Sequence, residues 1–136
     1  MVVLTALAFI IFGAFLTLLL HEMSHVLIAR IVKYKIESVT LIPRYGEEGT
    51  ILFGSVKFLK DDKPVTSWMY LIPLIKAFVF FILWFILSKY FHYFIFFAAW
   101  ELMDGINWLL GFINQTPRTD GCRFRECLRS RDIDIS

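Results

Sequence analysis

A glutamate between two histidines four residues apart, His21-Glu22-Met23-Ser24-His25, is the constellation in this chain best suited to chemistry. On a helix, positions i and i+4 share a face, so both imidazoles can offer a nitrogen to one metal ion, with Glu22 within reach of a water beside it. Zinc takes imidazole readily, and a catalytic zinc keeps one position open for water. Two histidines are an incomplete set, because catalytic zinc ordinarily has three protein ligands. A third must come from a distant acidic residue, and Glu101, Asp104 and Asp120 are the candidates. The plainer readings are polar packing between helices for His21 and His25, and ion pairing with Lys76 for Glu101 and Asp104.

The setting of the motif narrows its meaning. Val2 to Leu20 is an unbroken run of apolar or small residues, long enough to cross a hydrocarbon core. Ionisable side chains at the end of such a run are costly and mark functional positions. No basic segment precedes the run and no small-residue cleavage site follows it, so it reads as a retained membrane helix rather than a signal peptide. The whole composition agrees. The 136 residues are 58% hydrophobic and 18% aromatic, with a mean hydropathy of +0.67, values of a membrane protein of one domain. A net charge of +2 excludes a nucleic-acid partner as the expectation. Cys122 and Cys127 have neither zinc-ribbon nor disulfide-framework spacing, and reduced thiols are expected.

The elements that must position the motif follow from the same pattern. The expected fold is an all-α membrane protein, a single unit over 1–136. It has about three transmembrane helices, at 2–32, 67–88 and 91–113. A short β-hairpin follows the first helix, from the β-branched stretches Ile36–Ile42 and Thr50–Phe58 around Pro43 and the Gly46–Gly49 segment. Lys60–Pro64 reads as a polar linker. Pro73 should kink the second span or mark a packed, locally irregular site, and Lys76 in the same span should snorkel or pair with a carboxylate of the third. Asn114-Gln115-Thr116-Pro117 breaks the third span and leads into an Arg-rich tail.

Charge orients this arrangement. Residues 30–66, from the end of the first span through the loop, and the tail after Asn114 hold 12 of the 14 Lys and Arg residues. The positive-inside bias then places loop 33–66 and tail 114–136 in the cytoplasm and the N-terminus outside. The same tail can touch anionic lipid. Counting about 1.5 Å per residue from Val2 and from Phe91, Asp104 stands about 9 Å too far outward of His21 and Asp120 about 15 Å too far inward, if every span is straight. A broken segment after the third span can return Asp120 toward the histidines.

These motifs, in this order, resemble the site-2 protease family of intramembrane zinc metalloproteases. The resemblance rests on His21-Glu22-x-x-His25 in the first span, the β-like segment after it, and Asn114-x-x-Pro117 shortly before Asp120-Gly121. The middle span carries Ile72-Pro73-Leu74-Ile75-Lys76 where the family often has Gly-Pro-x-x-Asn. The resemblance implies Zn2+ held by His21, His25 and Asp120, Glu22 as general base, and Asn114 as a substrate-binding residue. It implies hydrolysis of peptide bonds in membrane-associated substrates. The expected partners are a membrane protein or peptide substrate and the lipid bilayer. A homo-oligomer or partner membrane protein is a further candidate, because three helices shield a site poorly. The alternative is a zinc-binding membrane protein of the same fold that engages a partner without cleaving it.

Overall fold

The computed structural model describes residues 1–42, 44–45, 51–52, 54–58 and 67–135, with side chains of 44–45, 51–52, 55, 57–58 and 131–135 outside the description. The chain runs α1 (Val2–Ile31), β1 (Ile36–Thr40), β2 (Arg44–Tyr45), β3 (Ile51–Leu52), β4 (Ser55–Phe58), α2 (Trp68–Leu87), α3 (Phe94–Asn114) and α4 (Asp120–Ile135). Helix therefore dominates, as the composition suggests. The expected turn residues Pro43 and Gly46–Gly49, Thr50 and Phe53 of the expected second strand, and the linker Lys60–Pro64 lie outside the described residues.

α1 is 30 residues long, about 45 Å at 1.5 Å per residue. It carries neither proline nor an internal charge before His21, and it ends where Lys33 takes a left-handed backbone with φ 58°. α2 covers 20 residues with Pro73 inside it, close to the 30 Å of a hydrocarbon core. These two helices are long and apolar enough to cross a membrane. The expectation of three such helices is met for two. α3 has the length, 21 residues, but Glu101, Asp104 and Asn107 lower its hydropathy. It begins at Phe94 rather than Phe91, because Ser88–Tyr93 form the reversal from α2.

α1 and α3 run parallel in a constant register. Phe9 stacks on Tyr93 with ring centroids 5.0 Å apart. Thr17 donates to Glu101 at 3.2 Å across 84 positions, and His21 meets Asp104 across 83. Gly13 sets the approach: a Cβ there would stand 2.6 Å from the Phe97 ring. The register corrects the depth count. Tyr93 lies level with Phe9, whereas the count from Val2 and Phe91 set it level with Leu4, so α3 sits five residues deeper along α1 than counted, about 7.5 Å. His21 is then twelve residues below Phe9 and Asp104 eleven below Tyr93, and the two meet.

The β-hairpin is present in a fuller form than expected. β1 pairs antiparallel with β4, Thr40 opposite Ser55 and Ile36 opposite Phe58, with an irregularity between Ile36 and Ser38. Nearer the tip, Arg44 pairs with Leu52 and Tyr45 with Ile51. The residues after Asn114 correct the sequence reading in another way. The break occurs, with left-handed Gln115 and Arg118 at φ 55° and 67°, but the Arg-rich tail beyond it is the helix α4.

Burial is arranged opposite to that of a water-soluble helical domain. Glu22, His25, Lys76 and Glu101 are buried, whereas Phe12, Phe15, Phe78, Ile82, Leu102 and Ile106 are exposed. Charged side chains are almost never fully buried unless paired, and the pairs here converge on one region.

Candidate metal centre

α1 brings His21 and His25 to a common face one turn apart, with ring centroids 5.3 Å from each other. Ser24 donates to the His21 carbonyl at 2.6 Å, a bond back to the preceding turn that keeps the hydroxyl satisfied. The Nε2 atoms of both rings point at one carboxylate oxygen. Asp120 Oδ2 stands 3.0 Å from His21 Nε2 and 3.1 Å from His25 Nε2. His21, His25 and Asp120 thus form a group that can hold a metal ion, their ligand atoms all within 4.8 Å of one another. This is the set that the motif order implied.

Each ring is held from behind. His21 Nδ1 lies 3.0 Å from Asp104 Oδ2. His25 Nδ1 donates to the Met69 carbonyl at 2.8 Å. Asp104 thus stands behind His21, bonded to Lys76, and outside the His21–His25–Asp120 group. Lys76 Nζ donates to Asp104 Oδ2 and to Glu101 Oε2, each at 2.7 Å. Glu101, with no exposed surface, also accepts from Thr17. The pairing of Glu101 and Asp104 with Lys76 matches the plainer reading of those residues.

The local sequence explains how Asp120 arrives. After Gln115 the chain climbs back along α3, so that Gly121 touches the Trp108 carbonyl and the Phe112 amide. A side chain at 121 would drive α4 off α3, and only glycine permits the approach. Gly111 makes room for Thr119 in the same way. Thr119 caps α4, its Oγ1 accepting from the Cys122 amide at 3.3 Å. Arg125 donates to the Phe112 and Ile113 carbonyls at 3.0 and 3.1 Å, satisfying acceptors that the end of α3 leaves open. Phe124 packs on Trp108 and Phe112.

Glu22 is buried, with 5% of its surface exposed. It lies against Gly54, just before β4: a Cβ at 54 would stand 2.7 Å from Glu22 Oε1. Sequence reasoning passed over Gly54, although glycine inside a strand pattern is a signal of close backbone approach. It also passed over the Met69 carbonyl, which no side-chain motif announces. Its signal was Pro73. Proline has no N–H, so the carbonyl four residues earlier in α2 lacks its helical donor, and that carbonyl is Met69's. Asn114 is the exposed last residue of α3.

The donor set fits zinc. Two imidazole nitrogens and a carboxylate oxygen are ligands zinc accepts, and tetrahedral bonds of about 2.0–2.1 Å place ligand atoms roughly 3.3 Å apart, close to the 3.0 and 3.1 Å between Asp120 Oδ2 and the two histidine nitrogens. Comparisons of the chain with protein-family models, with curated proteins and with solved structures find no match.

Proposed function

We propose that this chain is a membrane-embedded zinc endopeptidase of the site-2 type, acting on membrane-associated polypeptides. One observation carries the reading. All four ring nitrogens of His21 and His25 face oxygen: Asp104 and the Met69 carbonyl behind, Asp120 in front. A neutral imidazole has one N–H. With that proton at Nδ1, both Nε2 lone pairs meet the Asp120 lone pairs, a clash that a bound cation turns into coordination. Protein groups that orient zinc histidines through the far nitrogen are the usual companions of such sites.

The membrane setting is supported by α1 and α2, which have the length and composition to cross, and by the reversed burial. α3 fits as a third membrane helix because Glu101 and Asp104 neutralise Lys76 inside the bundle, while Leu102, Met103, Ile106 and Leu109 cover its outer side. The basic loop and α4 favour the cytoplasm, and the N-terminus the outside.

Zinc at this site supplies a Lewis acid that polarises a peptide carbonyl and acidifies water. Glu22 takes the proton of the attacking water and delivers it to the leaving amine as the C–N bond breaks. The substrate backbone must be extended, because a helix hides its carbonyls in internal hydrogen bonds. Among the described residues β4 pairs only with β1, so a strand added to the sheet would pass Gly54 and Glu22.

The test is zinc quantification on purified wild type, Glu22→Gln and Asp120→Ala, with cleavage of a transmembrane substrate followed in parallel. Zinc retained in Glu22→Gln, zinc lost in Asp120→Ala, and cleavage abolished in both is the expected result. Full cleavage by Glu22→Gln removes the proposed chemistry. Zinc binding without cleavage in wild type leaves the non-proteolytic, partner-binding reading.

A further inference from the structure

α2 contributes no ligand to the His21–His25–Asp120 group, yet both histidines are held by groups that α2 controls. Met69 and Lys76 are seven residues apart, two turns of α2, on the face turned to α1 and α3; both are buried. Two devices stand on that face. Pro73, less than 2% exposed, removes the N–H that would bond the Met69 carbonyl, and that carbonyl accepts from His25 Nδ1 at 2.8 Å. Lys76 grips Asp104 Oδ2 at 2.7 Å, and the same oxygen faces His21 Nδ1 at 3.0 Å. Glu101 is the second anchor of the ammonium.

We infer that α2 is the positioning element for the metal, Pro73 through Met69 for His25 and Lys76 through Asp104 for His21. The inference rests on the zinc reading above. A carbonyl already engaged by its own helix offers a ring a weaker, less centred acceptor. Proline at 73 dedicates the Met69 carbonyl to His25 and directs that imidazole's proton to Nδ1, leaving Nε2 as donor to zinc. Lys76 works at one remove. An unanchored Asp104 carboxylate can rotate about its side-chain bonds. Held between Lys76 and His21, it keeps one oxygen on the ring. Glu101 gives the ammonium a second carboxylate partner, so the bundle carries Lys76 without an unpaired ammonium. Neither Pro73 nor Lys76 touches the metal-binding atoms or substrate, which makes both positioning residues.

Two variants test this on full-length protein in detergent, with zinc affinity read by chelator competition and the visible spectrum of the Co2+-loaded protein as a second readout. Pro73→Ala returns an N–H to the Met69 carbonyl. Lys76→Met with Glu101→Gln removes the anchor of Asp104 without stranding a buried carboxylate. Each should weaken zinc by about 10- to 100-fold, the usual effect of losing an orienting partner, and shift the Co2+ bands, while helix content stays that of wild type. Lys76→Arg should restore affinity to near wild type. If the Lys76/Glu101 pair does not fold, Asp104→Asn, which leaves Lys76 and Glu101 joined, should give the same loss. Wild-type affinity in either arm, or a loss confined to one histidine's arm, overturns the inference while the zinc reading stands. A wild-type protein that binds no zinc overturns both.

Discussion

Glu22 illustrates how much depends on a neighbour without a side chain. As the proposed base, Glu22 must approach both the histidine–aspartate group and the strand beside it, and Gly54 is what lets the strand come close. Gly54→Ala would set a methyl group 2.7 Å from Glu22 Oε1, and the carboxylate would have to move. Zinc should remain, since Gly54 holds no ligand, and substrate cleavage should fall on the order of 100-fold, the usual cost of a 1 Å misplacement of a reacting group. Metal analysis and cleavage on the same preparation read the two effects separately. The histidines contrast with this. Their shared face follows from a four-residue spacing that any helix preserves, so it was legible before any fold was known.

Among the elements, α4 is the least obvious from composition and the most consequential. Its Arg-rich sequence reads as a tail, yet Thr119 caps it, Arg125 ties it to the end of α3, and Gly121 lets its first turn rest on the α3 backbone. Asp120 reaches the histidines because α4 starts against Trp108 instead of continuing from Asn114. Gly121→Ala should therefore act through Asp120. The added methyl would collide with the Trp108 carbonyl and the Phe112 amide, α4 would lift, and zinc binding should drop as in Asp120→Ala. Overpacking of this sort costs roughly 1–3 kcal/mol, visible as a lower melting temperature of the detergent-solubilised protein. Zinc bound at wild-type strength by Gly121→Ala would show that α4 does not deliver the ligand. The hairpin was legible from β-branched enrichment, and α2 from its apolar length. The start of α3 was misjudged because Phe91-His92-Tyr93 is as apolar and aromatic as the helix it precedes. Hydropathy does not separate a reversal from a first turn.

Within α1, α2 and α3, Glu22, Lys76 and Glu101 are buried while large apolar side chains such as Phe12, Phe78 and Leu102 are exposed, an arrangement suited to hydrocarbon as solvent. Topology at this scale can be tested with the two native cysteines replaced. A single cysteine at Lys89, in the reversal between α2 and α3, should react with a membrane-impermeant maleimide applied to intact cells. A single cysteine at Arg129, on α4, should react only after the cells are opened. The opposite pattern would invert the proposed orientation.

Residue spacing and composition by themselves determined the shared face of His21 and His25, the apolar helices, the hairpin and the break after Asn114, because each depends on neighbours within a few turns of chain. Which carboxylate meets the histidines was not determined in this way. Asp104 and Asp120 are both acidic and both near the end of an apolar run, and a count along straight helices favours neither. The choice lies in the register of α1 on α3, set by the close packing of Gly13 against Phe97, and in the contact of Gly121 with the α3 backbone. Together they put Asp104 behind His21 and Asp120 in front. These are contacts between residues more than 80 positions apart or across a reversal, where steric fit decides and local propensity is silent.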